Sequence, residues 1–220
     1  MKSELAATGH RVWSDRLGRV ELRFVGRGPG DRMAAAAAAG APQELAWSRQ
    51  IHSARVLAAA PGHCGEGDAL TTRRTGLALS VVTADCVPVL VAGDCEVASI
   101  HAGWRGIAAG IVGETLTRLA SPPERLTAWL GPAIGPCCYE VGDEVAARVA
   151  AVSDPTVAVP GRGPRPHLDL HAAVASQLRR AGVEQVHRVP DCTHCSADSL
   201  WSYRREGPGA GRNLALIWMG

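Results

Sequence analysis

Thr83-Ala-Asp-Cys-Val-Pro-Val-Leu-Val-Ala-Gly-Asp-Cys-Glu-Val-Ala-Ser-Ile-His-Ala-Gly-Trp-Arg-Gly106 holds two apolar, β-branched-rich runs on either side of the turn dipeptide Gly93-Asp94. The pattern predicts a β-hairpin. With Gly93-Asp94 as the loop, Ala92 faces Cys95, and the same register sets Cys86 directly opposite His101. Directly opposed Cβ atoms lie about 4.5–5.5 Å apart. That spacing suits two ligands of one zinc ion, and equally a cysteine nucleophile with a histidine base. The hairpin thus brings a thiol and an imidazole to one face, and a slip of one residue would part them.

The sequence around the hairpin is mostly short strands. Val12–Trp13 and Val20–Val25 read as a strand pair around Arg16-Leu-Gly18, followed by the loop Gly26-Arg-Gly-Pro-Gly30 and an Ala-rich helix that ends near Gly40-Ala-Pro42. The Gly-x-Gly of that loop has no strand-to-helix unit around it and reads as structural. Gln50 to Val56, Ala69–Thr72 and Leu77–Ala84 read as strands. Gly106 to Leu119 carries Ile107, Ile111, Leu116 and Leu119 at helical spacing. Thr127–Leu130 reads as a buried strand, Gly131-Pro-Ala-Ile-Gly-Pro136 as a rigid loop, and Val141–Val152 as a helix. Ser153 to Pro166 is rich in Pro and Gly and reads as an exposed connection. Leu168–Arg180 is a further helix, with Asp169 as its cap and Gly182 as its stop. Val186–Val189 and Leu214–Trp218 close the pattern as strands. Hairpin-linked strands outnumber helices, which predicts an α+β fold: a single-domain sandwich of mixed β-sheets flanked by helices, spanning residues 1–220.

Composition narrows the partners. A hydrophobic fraction of 46% supports a sizeable core, and a net charge of +2 without a dense Lys/Arg run argues against nucleic acid. The most apolar run, Leu77 to Ala92, is interrupted by Asp85, so no membrane span is expected. The first ten residues lack the apolar region of a secretion signal, and seven cysteines in a chain of this size fit reduced thiols, so a cytoplasmic protein is expected.

Three further stretches bear on chemistry. His101-Ala-Gly-Trp-Arg-Gly106 leads into a helix start, where free N–H groups, the Arg105 guanidinium and the Trp104 ring suit an anion and a planar base. Cys137-Cys-Tyr-Glu140 follows the Gly/Pro loop. Adjacent cysteines bridge poorly, and the single Cys192-Thr-His-Cys195 without a second pair is weak evidence for zinc, so these read as free structural thiols. His167-Leu-Asp-Leu-His171 offers alternating donors, but Asp169 reads better as a helix cap. Ser202-Tyr-Arg-Arg205 either contacts substrate or is solvated.

Taken together these motifs resemble the YfiH-like family, long labelled a polyphenol oxidase or laccase domain. The matching stretches are Gln50-Ile-His52, Thr83-Ala-Asp-Cys-Val-Pro88, His101-Ala-Gly-Trp-Arg-Gly106, Leu130-Gly-Pro-Ala-Ile-Gly-Pro-Cys-Cys-Tyr-Glu-Val-Gly142, Asp191-Cys-Thr193, and Ser202-Tyr-Arg-Arg205 with Gly211-Arg212. The resemblance covers residues 50–219, and residues 1–45 diverge. It implies a zinc site of His52, Cys86 and His101. It also implies purine nucleoside phosphorylase activity on adenosine, inosine, guanosine and methylthioadenosine, with adenosine deaminase activity in the same site. On that reading Cys86, His101 and Asp85 are catalytic, with Glu140 a second candidate proton carrier. Arg105, Trp104, Tyr139, Tyr203 and Arg204 contact the nucleoside and phosphate. The protein would act as a monomer or homodimer. The oxidase label fits poorly, because the chain has eight histidines and no His-x-His pair. Two alternatives use the same residues: a Cys86–His101 amide hydrolase that edits peptidoglycan precursors, and a structural zinc-binding interaction module.

Overall fold

The computed structural model describes residues 1–5, 9–28, 31–161 and 163–220; Pro29 and Gly30 of the Gly-x-Gly loop, and residue 162 of the exposed connection, lie outside them. Among the described residues, fifteen strands and six α-helices follow in order: β1 (Lys2–Leu5), β2 (Arg11–Leu17), β3 (Val20–Val25), α1 (Arg32–Ala38), β4 (Glu44–Arg49), β5 (Val56–Ala58), β6 (Gly62–Glu66), β7 (Ala69–Thr72), β8 (Leu77–Thr83), β9 (Val87–Ala92), β10 (Val97–Ala102), α2 (Trp104–Ala108), α3 (Ile111–Leu116), β11 (Thr127–Leu130), α4 (Asp143–Val152), β12 (Ala158–Val159), β13 (His167–Leu168), α5 (Leu170–Arg180), β14 (Gln185–Arg188), α6 (Tyr203–Glu206) and β15 (Asn213–Met219).

They build two packed mixed sheets. The first has the order β1-β2-β3-β15-β8-β4-β6 and the second β14-β11-β9-β10-β7-β5, with β12 and β13 as a separate ribbon. Leu22, Phe24, Leu79, Ile217, Leu70, Leu90 and Trp129 fill the space between the sheets. Helices α2 to α5 cover the outer face of the second sheet, where Ile107, Ile111 and Val174 of the helices share one core with Val89 and Ile100 of the strands. Helix α1 covers the other sheet over Val12, Leu214, Leu216 and Trp218. Strands β9, β10 and β15 are buried on both faces, so they read as continuous apolar runs rather than as an alternation. The indole N–H of Trp129 on β11 donates to Asp15 Oδ2 on β2 at 3.0 Å and ties the two sheets together. The α+β sandwich expected from the sequence is the architecture observed, and β1 to β3, from the stretch without family motifs, form one edge of the first sheet.

Three local expectations need correction. The β9–β10 hairpin turns at Asp94-Cys95: Gly93 N donates to Glu96 O at 2.9 Å, and His101 pairs with Pro88. Glu96 explains the shift. It is buried and accepts a 2.6 Å hydrogen bond from Ser121 N, while a Cβ on Gly93 would lie 2.5 Å from Ser121 Oγ. Gly93 therefore admits the Ser121 loop instead of opening the turn. Gln50 to Arg55 is a turn, not a strand; only Val56–Ala58 pairs, and the preceding Glu44–Arg49 forms the strand. The helix expected over Gly106 to Leu119 breaks at Gly110, whose φ of 85° is left-handed. The strands β1, β6 and β12 carry no pattern strong enough to be read in advance.

Candidate functional site

The turn after β4 presents His52. The side chain of Gln50 substitutes for backbone pairing there: its amide nitrogen donates to Val82 O at 2.7 Å and its oxygen accepts from Val82 N at 2.9 Å. His52 itself adopts a left-handed φ of 58°. Asp68 holds this turn from beneath, accepting hydrogen bonds from the backbone N–H groups of Ile51 (3.2 Å), His52 (2.9 Å) and Ser53 (2.6 Å) and from Ser53 Oγ (2.7 Å).

Asp68 also hydrogen-bonds His101 Nδ1 at 2.8 Å. Ala69 pairs with Ile100, so Asp68 sits one step further along, across from His101. With Nδ1 engaged, His101 turns Nε2 toward the cavity. Cys86 comes from the turn between β8 and β9, where Asp85 has a φ of 95°. The corrected register puts Gly103, not His101, across from Cys86. The two-residue displacement keeps Cys86 and His101 on one face. Gly103 matters because a Cβ there would lie 2.8 Å from Cys86 Sγ and 3.1 Å from His52 Cδ2. Cys86 Sγ is 4.0 Å from His52 Nε2, and the ligand atoms of His52, Cys86 and His101 all lie within 4.8 Å of one another.

Electrostatics prepare these donors. Burial pushes the Cys86 thiol up, but the charges of His101 and His52 and their hydrogen bonds outweigh it and bring the pKa down to about 6. Burial also disfavours charge on His101, yet the Cys86 thiolate and Asp68 raise its pKa to about 9. Burial opposes ionisation of Asp68 as well, and its bonds to His101 and Ser53 hold it at about 2. Two imidazoles and a thiolate, one imidazole steadied by a carboxylate, match a zinc centre of the kind that leaves a fourth position open.

These residues form the floor of a cavity of about 630 Å³, within the range of small-molecule sites. Trp104, Arg105, Tyr139, Tyr203, Arg204 and Asp85 all line it, together with residues the sequence did not single out for the site: Arg32, Arg49, Arg212 and Gln50. Five arginines face one carboxylate, so the cavity is cationic. Arg105 lies 4.4 Å over the Trp104 ring and Arg204 5.1 Å over Tyr139. Helix α2 has five residues, so the guanidinium groups rather than a helix dipole carry the positive field. Burial and the Cys86 charge push Tyr139 up to about 12, so its hydroxyl keeps its proton.

Asp85 uses both oxygens. Thr193 Oγ1 donates to one and Arg204 N to the other, each at 2.6 Å, which fixes the start of α6 over the cavity. Glu140 lies outside the lining and bridges in the backbone to His167. His167 and His171 are not ligands: their ring nitrogens hold the carbonyls of Pro136 and Gly131 and so brace the Gly/Pro loop. Cys137 and Cys138, read separately from Cys192 and Cys195, converge with them into one cluster. Asp68 escaped the sequence reading because nothing in its spacing marks it; the signal is the register of β7 against β10, which only the fold supplies.

Comparison with known proteins places this geometry in context. Residues 30–220 match a family described as multi-copper polyphenol oxidoreductase laccase. The chain is 37% identical over 188 residues to the purine nucleoside phosphorylase YfiH of Escherichia coli, covering 83% of this chain and 77% of that protein. It is 40% identical over 188 residues to a purine nucleoside phosphorylase of Streptomyces coelicolor, covering 81% of this chain and 76% of that one. A crystal structure of a Neisseria meningitidis protein superposes with a TM-score of 0.86 at 30% identity, covering 94% of this chain and 98% of that one.

Proposed function

Since the chain belongs to the YfiH-like family of laccase-type polyphenol oxidoreductases, we propose that it is a zinc-dependent purine nucleoside phosphorylase, with adenosine deaminase activity in the same cavity. The observation that carries this reading is the convergence of His52, Cys86 and His101 at the floor of an arginine-lined cavity. The names of its relatives point to purine nucleosides. Adenosine, inosine, guanosine and methylthioadenosine are the proposed substrates.

His52, Cys86 and His101 would hold the ion, and a bound zinc ion supplies Lewis acidity toward an oxygen of the reactants. In phosphorolysis a phosphate oxygen bonds to ribose C1′ as the bond from C1′ to the purine nitrogen breaks. Arg105 and Arg204 suit the phosphate, since guanidinium groups bind its oxygens in pairs. Trp104, Tyr139 and Tyr203 offer faces for the base, and the neutral Tyr139 hydroxyl can donate a hydrogen bond to the departing purine. In deamination, water replaces the amino group at C6 and ammonia leaves. A histidine-rich multicopper cluster has no counterpart among the described residues, whose two metal-ligating groups are His52, Cys86 and His101 on one side and four cysteines on the other.

One observation favours a second reading. Cys86, His101 and Asp68 form the thiol–imidazole–carboxylate arrangement of a cysteine hydrolase. This supports a cysteine amide hydrolase, for which peptidoglycan precursors are the proposed substrates. The two readings part on metal content and products. Zinc-loaded protein is incubated with adenosine, with and without phosphate. Adenine and ribose 1-phosphate only when phosphate is present, together with inosine, support the phosphorylase. Neither product, with metal-free protein that cleaves an amide substrate, would replace it with the hydrolase.

A further inference from the structure

Next to Tyr139 of the cavity wall, the end of the Gly/Pro loop brings Cys137 and Cys138, which do not line the cavity, against Cys192 and Cys195, which follow β14. Cys138 Sγ lies 3.4 Å and Cys137 Sγ 3.7 Å from Cys195 Sγ, and all four sulfurs fall within 4.8 Å of one another. Four thiolates about 2.3 Å from a zinc ion stand at the corners of a tetrahedron whose edges are about 3.8 Å. The two shortest separations, 3.4 and 3.7 Å, are close to that edge, and none of the others exceeds 4.8 Å. Gly135 N donates to Cys192 Sγ at 3.2 Å, a bond that favours a charged sulfur. A Cβ on Gly135 would lie 3.3 Å from Cys137 Sγ and 3.6 Å from Cys192 Sγ, so the glycine leaves the cluster its room.

We infer that Cys137, Cys138, Cys192 and Cys195 form a structural zinc site, separate from the three-donor group in the cavity. The four thiols would each lose a proton on binding. A closed all-thiolate set leaves no position for a substrate, which makes this ion a clamp. What it clamps is specific. Thr193, inside the Cys-x-x-Cys, donates its backbone N–H to Ala133 O at 3.0 Å and its hydroxyl to Asp85 at 2.6 Å. Arg205 Nη1 donates to the carbonyls of Thr193 (2.6 Å) and His194 (2.8 Å). The ion would therefore fix, through one small loop, the Tyr139 wall and the Asp85 turn that precedes Cys86.

The inference does not depend on the proposed activity, and its test isolates it. The full chain carrying His52→Ala, purified with zinc under reducing conditions, lacks a cavity donor but keeps all four cysteines. Metal analysis with X-ray absorption at the zinc edge should find about one tightly held zinc per chain with four sulfurs at about 2.3 Å. Cys138→Ser with Cys195→Ser, in an otherwise unaltered chain, should lose that sulfur-only shell. Wild-type protein should hold both ions, so failure of the cavity reading alone leaves the sulfur-only zinc in place. A shell dominated by nitrogen or oxygen in His52→Ala, no retained zinc, or an intact mass lighter by two hydrogens from a disulfide among these cysteines would overturn the inference.

Discussion

Asp68 and His101 face each other across strands β7 and β10, joined twice: His101 N donates to Asp68 O at 2.7 Å, and His101 Nδ1 meets Asp68 Oδ1 at 2.8 Å. The same carboxylate collects the backbone N–H groups of the turn that carries His52. One buried acid thus orients two of the three side chains proposed to hold the metal, and both proposed chemistries pass through it.

Asp68→Asn retains the size of the side chain but removes its charge and turns one acceptor into a donor. The His52 turn then loses a partner and His101 loses its anchor. Zinc affinity is expected to fall about 10–100-fold, as when a supporting partner of a metal ligand is lost. Competition with a chromophoric chelator measures it. Asp68 also has a signature in acid. Its pKa is lowered to about 2, so its stabilising contribution is complete above the unfolded value of 3.8 and disappears as pH falls toward 2. Melting curves of wild type should show that acid limb, and curves of Asp68→Asn should lack it.

Cys86 should betray its environment by its reactivity. With its pKa lowered to about 6, metal-stripped protein carries the thiolate at neutral pH, whereas an ordinary cysteine titrates at about 8.5. The rate of alkylation of Cys86 by iodoacetamide, followed by peptide mass spectrometry, should rise with a midpoint near pH 6. Stoichiometric zinc should suppress it. A midpoint above 8 in stripped protein would mean that the His101 and His52 charges do not act on this thiol.

Much of this was legible in the residues. The thiol and imidazole share a face because their distances from the turn differ by an even number of residues, none with the turn at Gly93-Asp94 and two with the turn at Asp94-Cys95. The cap at Asp169, the stop at Gly182 and the buried β11 follow from local chemistry. What could not be read depends on contacts between distant segments. Nothing local distinguishes Glu96; its part in placing the turn comes from Ser121, 25 residues on. Gln50 reads as part of a strand until its side chain is seen to pair with Val82. Arg32, from the divergent N-terminal stretch, reaches the cavity only because α1 packs beside β8 and β15.

Gly103 offers a steric test that leaves every donor in place. Its φ of −81° suits any residue, so backbone strain plays no part in a substitution. Gly103→Ala places a methyl group 2.8 Å from Cys86 Sγ, closer than van der Waals contact permits. The thiol or the His52 ring must move. Zinc content and activity are expected to fall together, while circular dichroism stays that of the wild type. Unchanged zinc content in a folded variant would show that the donors have more freedom than their packing indicates.

Arg105 tests the anion. It lines the cavity over Trp104, and a hydrogen bond from a guanidinium to a charged oxygen is worth about 1.5–3 kcal/mol. Arg105→Ala should therefore raise the phosphate KM at least tenfold, with a smaller change in the KM for the nucleoside. Deamination, which uses no phosphate, should be much less affected in the same variant, so the ratio of the two activities reports on the phosphate alone. Arg125→Ala is the control: Arg125 is paired with Asp94 at 2.8 Å on the surface and does not line the cavity, and such exposed pairs contribute little. If Arg105→Ala lowers both activities equally at saturating phosphate, the guanidinium serves the fold or the base, and the phosphate must be held by the other arginines of the cavity.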